Sequence, residues 1–439
     1  MSPNTYTETL LEYINQSPTS FHAVQNATEL LQNEGFSELD EHDSWSLSPG
    51  SYFVSRNKSS LIAFSVSADS QGQGFRMAGA HTDSPCLKIK PLPVQTNNSF
   101  VQLGVETYGG LLLNPWFDRD LSLAGRLTWL EKSQDVIKNS LIDFKRPIAV
   151  IPSLAIHLDR EANEKKSVNK QTDLVPIVMQ LADNDEIDFN SILIDQLTQE
   201  QQDIREPRII DHELFLYDSQ PANIVGLNNE FITGARLDNL LSCYTLLRAL
   251  LDSSSEHNSL IVLNDHEEVG SQTASGAQGT FLQSVLERIV PDHENRQRSI
   301  RNSLFVSVDN AHAVHPNFQD RHDQGHLPKM NLGPVIKYNA NQRYATNSLT
   351  SSFFRMLCER VDIPVQEFVM NNSLACGSTI GPLTAGEIGI QTIDIGAPTL
   401  AMHSIREMAG IMDARYLYTA LNTYFSLDKE DVIWQCLDS

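Results

Sequence analysis

The run SLIVLNDHEEVG, Ser259–Gly270, sets the architecture of the chain. Its apolar part, Leu260-Ile261-Val262-Leu263, is short, unbroken and rich in branched side chains, the pattern of a strand buried on both faces. Paired acids are ordinarily two solvated charges, but Glu267 and Glu268 stand between that run and Val269-Gly270. Adjacent acids at a strand end can divide the work, one holding a metal while the other takes a proton from water.

The arrangement recurs. GFRMAGA (74–80) reads as a strand running into the polar turn His81-Thr82-Asp83-Ser84-Pro85, with Pro85 marking the break; SLFVSV comes just before Asp309, and IQTIDIG comes ahead of His403. In open α/β sheets the ligand crevice lies beyond the carboxyl ends of the strands, so these residues should converge there. The long apolar helix LLSCYTLLRALL (240–251) follows Leu237-Asp238-Asn239, where Asp238 reads equally well as an N-cap or as a metal-facing carboxylate. A lone histidine such as His81 or His403 is usually a satisfied loop residue, but the set changes that balance. His81-Thr82-Asp83 has the form of a metal-binding imidazole with a carboxylate at hand to hold its other nitrogen. His81, His403, Asp238, Glu268 and Asp309 suffice for a pair of zinc ions sharing one carboxylate. Such a centre suits amide hydrolysis and can also bind a free α-amino group.

Elsewhere, Ser17-Pro18-Thr19-Ser20 leads into HAVQNATELL, whose Ala23, Val24, Ala27, Leu30 and Leu31 lie at helical spacing with Gly35 just past the end, a capped amphipathic helix. From Pro91 to Pro221 the texture turns to short alternating runs such as SFVQLGVETYGG and SLAGRLTWLE, then to an acidic, Asn- and Gln-rich stretch around 159–205. This reads as a β-rich insertion carrying a mobile or decorated loop. The expected division is therefore a discontinuous α/β domain, 1–90 and 231–439, interrupted by an insertion at 91–230.

A net charge of -23, from 55 acidic against 32 basic residues, argues against nucleic-acid or anionic-membrane partners. No apolar run approaches the ~18 residues of a membrane span, and the opening MSPNTYTETL lacks the basic and apolar regions of a secretion signal. A soluble, cytoplasmic protein is expected. Cys86, Cys243, Cys358, Cys376 and Cys436 are scattered and never in CxxC spacing, which fits a reducing compartment and neither a disulfide framework nor a cysteine zinc site.

The ordered motifs SPTSFHAV, GAHTDSPCLKIKP, WFDRDLSLAGR, AIHLDR, GARLDN, DHEEVGS, SVDNAHAVHPN, GPVIKYNANQRYATNS, CGSTIGP and MHSIRE resemble, nearly end to end, those of the aspartyl aminopeptidase family of di-zinc metallopeptidases, including its bacterial members. The resemblance implies His81 and Asp309 on one zinc, Glu268 and His403 on the other, and Asp238 bridging both, with Mn2+ or Co2+ as substitutes. Glu267 would be the general base and Asp83 the partner of His81. It further implies a three-layer catalytic domain with a mixed sheet, a β-rich dimerisation domain, and dimers assembling into a tetrahedral dodecamer. Peptides with acidic N-termini would be the substrates. His157 would reach a neighbouring subunit's site, and Trp116-Phe117-Asp118-Arg119 would lie near a subunit interface. Lys337 or Arg343 would meet the substrate carboxylate; Lys337 also reads as a solvent-facing strand lysine, and Arg343 is better suited to a bidentate grip.

One departure bears on selectivity. Ahead of CGSTIGP the family usually carries an Arg and an Asp, where this chain has Asn371 and Ser373. Either a salt bridge is simply absent or substrate charge is read differently, which leaves a broad-specificity aminopeptidase open. A related two-metal carboxypeptidase or deacylase is a further alternative. An inactive binding protein on the same scaffold is opposed by the intact Glu267 and ligand positions.

Overall fold

The computed structural model describes residues 3–67, 73–131, 136–165, 167–182, 187–253, 257–428 and 431, and the chain divides into two compact units. One comprises Met1–Asp83, Ala222–Met402 and Glu407–Ser439; the other is Ser84–Pro221 with His403–Arg406.

The first unit is built on a nine-stranded sheet in the order Ser37–Glu38, Gly50–Arg56, Ser60–Val66, Ser259–Asn264, Arg76–His81, Leu304–Val308, Gln391–Gly396, Val335–Tyr338, Gln366–Val369. The sheet is mixed. Ser259–Asn264, Arg76–His81, Leu304–Val308 and Gln391–Gly396 run parallel, whereas Ser60–Val66 is antiparallel to both its neighbours and Val335–Tyr338 is antiparallel to Gln391–Gly396 but parallel to Gln366–Val369. Asn264 lies opposite His81, so the parallel strands end level with one another.

Every residue of Arg76–His81, Ser259–Asn264 and Leu304–Val308 is buried, because alternate side chains serve two different cores. Ile261 and Leu263 join Leu241, Leu246, Phe353 and Leu421 from the helices Leu237–Leu251, Ser348–Arg360 and Ile411–Ser426. Leu260 and Val262 join Phe305 and the Phe281 and Val285 of helix Phe281–Ile289. Helices thus cover both faces, giving the expected three layers, and each fully buried side chain of this kind contributes roughly 1.5–3 kcal/mol. Gly79 permits a close approach within the sheet: a Cβ there would stand 2.5 Å from the Phe305 ring and 3.0 Å from Val262 and Ile380. Helix Ser20–Asn33 forms as its spacing predicts, with the Thr19 hydroxyl accepting from the His22 N–H and Gly35 beyond the end at φ +83°.

The second unit carries a six-stranded antiparallel sheet, ordered Val136–Asp143, Leu121–Glu131, Pro207–Asp218, Cys86–Asn97, Phe100–Tyr108, Ile177–Gln180. Here the alternation is one-sided: Leu127 and Trp129 are buried while Arg126 and Thr128 are half-exposed. The stretch expected to be a loop around 159–205 is more ordered than its composition suggests. It contains the strand Ile177–Gln180 and the helix Phe189–Glu200, which Asp188 caps and which buries Leu193 and Leu197 in the core of this unit. That i, i+4 pair is a complete apolar stripe hidden among polar residues. Residues 166 and 183–186 of the same stretch lie outside the described residues.

Candidate metal centre

His81 ends its strand 1% exposed and is gripped on both ring nitrogens. Nδ1 lies 3.0 Å from the backbone oxygen of Asp83, and since a carbonyl only accepts, Nδ1 carries the proton. Nε2 then presents its lone pair, yet it faces Asp238 Oδ1 at 3.3 Å and Asp309 Oδ1 at 3.5 Å. Acceptor against acceptor is repulsive, so either a second proton or a cation must stand between them.

The neighbouring elements are laced to this point. The N–H groups of Glu267 and Glu268 both donate to the Asp83 carboxylate, each at 3.1 Å, which pins the short turn Glu267–Val269 at the end of SLIVLND. Asp83 also keeps Oδ1 3.5 Å from His81 Nδ1. Asp238 does not cap its helix. The N-cap position belongs to Arg236, Asp238 has non-helical φ and ψ of -86° and 102°, and its N–H donates to Glu407 Oε2 at 2.9 Å. Its carboxylate is thereby turned toward His81. Asn239, joined to Asp238 by a cis peptide bond, donates from Nδ2 to the carbonyl of Val308, beside Asp309.

Among the described residues, one group of three metal-type ligands forms: donor atoms of His81, Asp238 and Glu268 all lie within 4.8 Å of one another. The electrostatics suit a cation. Burial is the main cause that raises Glu267 to about 8, reinforced by Asp309, Asp83 and Asp238 and opposed by His81. Burial likewise raises Glu268 well above the usual carboxylate range, with Asp238 adding to it. For His81, burial disfavours the charged ring, but Asp238, Asp309 and Asp83 outweigh it and the pKa rises. Desolvation also works against the charge of Asp309, yet Lys337 and His81 hold it well below the usual range. Clustered carboxylates that retain protons for want of positive charge, around one imidazole, are a donor set that fits zinc.

Lys337 is not solvent-facing. It is 2% exposed, with its ammonium 3.2 Å from Asp309 Oδ2. Arg343 is exposed. Asn371 and Ser373 bond to each other, Ser373 donating from N and Oγ to Asn371 Oδ1 at 3.0 and 2.8 Å, a neutral pairing between the two departing positions. In the second unit, His403 Nδ1 donates to the carbonyl of Gly110 at 3.0 Å, so its Nε2 carries the lone pair. His157 is exposed on a turn closed by Leu158 N–H to Ala155 O, and Asp118 anchors the base of that loop by accepting from Ser153 N–H at 2.8 Å. Trp116 is buried in the core of the second unit, and Arg119 pairs with Asp218 rather than with its neighbour. Glu407 escapes sequence reasoning; its only local signal is a charged residue opening a buried strand, Glu407–Gly410.

A mixed α/β sheet that brings imidazole and carboxylate donors together at its strand ends has the architecture of a metallohydrolase. A family model described as aminopeptidase I zinc metalloprotease (M18) matches residues 13–425, and the chain belongs to that family of metallopeptidases. It is 53% identical over 419 residues to the probable M18 family aminopeptidase 2 of Ectopseudomonas mendocina, covering 95% of this chain and 97% of that protein. The cryo-EM structure of the Ape4 and Nbr1 complex is similar at 38% identity with a TM-score of 0.93, covering 96% of this chain and 86% of the other. The S. cerevisiae mApe1 dodecamer is similar at 28% identity and a TM-score of 0.83, covering 99% and 98%. No helix among the described residues is long and apolar enough to cross a membrane. Cys86, Cys243, Cys358 and Cys376 are free thiols.

Proposed function

We propose that this M18 aminopeptidase is a two-zinc enzyme that removes single residues from peptide N-termini and prefers Asp or Glu there. The observation that carries the reading is His81 Nε2 facing two carboxylate oxygens, a geometry that asks for a cation. His81 and Asp309 would hold one ion, Glu268 and His403 the other, and Asp238 both; the Nδ1 bond of His403 to Gly110 leaves the correct nitrogen for this role. When bound, the ions supply Lewis acidity toward the scissile carbonyl and an anchor for the free α-amino group.

Glu267 is the proton carrier. Burial and its acidic neighbours raise its pKa, and the positive charge of the bound ions would favour the carboxylate form that a general base needs. It takes a proton from the attacking water and passes it to the leaving amine. Asp83 holds the Glu267 N–H and the His81 ring together, so base and ligand move as one piece. Arg343, exposed and planar, is the group suited to grip an acidic substrate side chain. In this reading 1–90 and 231–439 form the catalytic domain and 91–230 is an inserted β-rich dimerisation domain. Self-association of dimers into a tetrahedral dodecamer is supported by the likeness to the mApe1 dodecamer and by the exposed Leu154, Ile156 and Leu158 flanking His157, which would act at a neighbour's site. The free thiols Cys86, Cys243, Cys358 and Cys376 fit a reducing compartment such as the cytoplasm.

Glu267→Ala tests the core of this reading: turnover should fall by about 10^2–10^4-fold while elemental analysis still finds zinc. Near-normal activity in that variant, or active wild-type protein without metal, overturns the mechanism. Cleavage of N-acetyl amino acids in preference to aminoacyl anilides would instead favour a deacylase.

A further inference from the structure

We infer that Lys337 is a positioning residue for Asp309 and that its ammonium is not the cation that meets an acidic substrate. The inference rests on the two-zinc reading, because Asp309 matters here as a ligand.

Asp309 uses its two oxygens differently. Oδ2 accepts from Lys337 Nζ at 3.2 Å, while Oδ1 faces His81 Nε2 at 3.5 Å. The ammonium therefore occupies one oxygen and fixes the rotation of the carboxylate, so that the other is offered to the ion on the His81 side. Lys337 has few remaining options. An ammonium has three donors; one goes to Asp309, a second to the carbonyl of Asn310 at 3.3 Å, and the Tyr344 ring lies 5.1 Å from Nζ, within cation–π range. The side chain is 2% exposed. A substrate carboxylate at Nζ would have to share this buried ammonium with Asp309 and Asn310 or displace one of them, and separating the pair with Asp309 leaves an uncompensated charge behind.

The buried position follows from the fold. Val335–Tyr338 lies inside the nine-stranded sheet, between Gln391–Gly396 and Gln366–Val369. A lysine on such a strand has no route to water and needs an acid at its tip, which Asp309 provides from the end of Leu304–Val308. If Lys337 is committed in this way, acid selectivity falls to another cation, and exposed Arg343 is free to supply it.

The test compares Lys337→Met and Lys337→Arg with wild type, measuring the zinc dissociation constant by chelator competition together with kcat and KM on Asp- and Leu-anilides. In Lys337→Met the freed carboxylate should weaken zinc binding by about 10–100-fold, the usual consequence of losing a partner that orients a ligand. Charge alone acts in the opposite direction, since removing a cation beside a dication tightens binding. Tighter or unchanged zinc affinity in Lys337→Met therefore overturns the proposal. The loss in kcat should be equal for the two anilides, leaving their kcat/KM ratio within about threefold of wild type. Lys337→Arg should recover part of the zinc affinity, and it carries the test if the Met variant does not fold. A collapse of the Asp-to-Leu ratio with zinc affinity intact would make Lys337 the substrate's partner and overturn the proposal. Failure of the two-zinc reading would be seen separately, as wild-type protein active without metal.

Discussion

In the first unit the strands Arg76–His81 and Ser259–Asn264 are buried from end to end, and the ionisable groups at their ends meet one another. His81 finds Asp83, Asp238 and Asp309, and the Glu267–Glu268 turn hangs from Asp83 by its N–H groups. In the second unit the strands keep a half-exposed face, and charges there pair across the ladder: Arg126 with Glu213 directly opposite, Lys138 with Glu131, and Lys88 with Glu213 at 3.9 Å. Ionisable residues form a buried cluster in one unit and a partly solvated face in the other. Burial decides which, because an unscreened charge must be answered by a partner whereas a hydrated one need not be.

The contrast predicts unequal penalties for removing charge. Asp238→Ala deletes the carboxylate that lies within reach of both His81 and Glu268. It should lose zinc on gel filtration and slow turnover by at least about a thousandfold, the several kcal/mol of Lewis-acid stabilisation at ~1.4 kcal/mol per decade. Retention of metal and rate would remove the distinction between the units. Asp83→Ala touches the same centre indirectly. It frees the His81 ring and the Glu267 turn together, so zinc affinity or kcat should drop by about 10–100-fold. Asp83→Asn, which can still accept one of the two N–H bonds, should lose less.

Sequence revealed what is local and periodic. The unbroken apolar run at Leu260–Leu263, the helix Ser20–Asn33, and the acids and histidines just past strand ends could all be read from spacing, since burial on both faces leaves a continuous hydrophobic signature. Contacts between distant segments could not. Asp238 was ambiguous because a cap and a ligand look alike in three residues of sequence; Glu407 and His81, both far along the chain, resolve it. The burial of Lys337 is not legible, because strand alternation does not say whether a sheet is covered on one face or two. Helix Phe189–Glu200 was hidden by its polar composition, and nothing local announces that His403–Arg406 belongs with Ser84–Pro221.

A purely apolar change in the first unit should act on stability and spare the chemistry. Ile261 is fully buried in the core that the helices Leu237–Leu251 and Ile411–Ser426 close over. Ile261→Ala should destabilise the protein by about 2–5 kcal/mol, seen as a lower denaturant midpoint at unchanged slope, with activity per folded molecule retained. A fall in kcat without a fall in stability would mean that the strand tunes the ligands at its end rather than merely carrying them.

The smallest effect is expected for Arg126→Ala. Arg126 donates from Nε to Glu213 Oε2 at 3.0 Å across the antiparallel ladder, with side-chain exposures of 15% and 38%. Such a pair gains modest Coulomb energy in a high-dielectric setting and gives up side-chain entropy in return, so the expected change is under about 1 kcal/mol. A double-mutant cycle with Glu213→Ala isolates the pairwise part from the packing of the arginine stem. Raising the salt to 1 M, where the Debye length is about 3 Å, should remove most of that coupling. A coupling of about 3 kcal/mol that survives 1 M salt would instead have the magnitude of a buried pair. This face would then be covered in the working protein, and its charges would belong with those around His81.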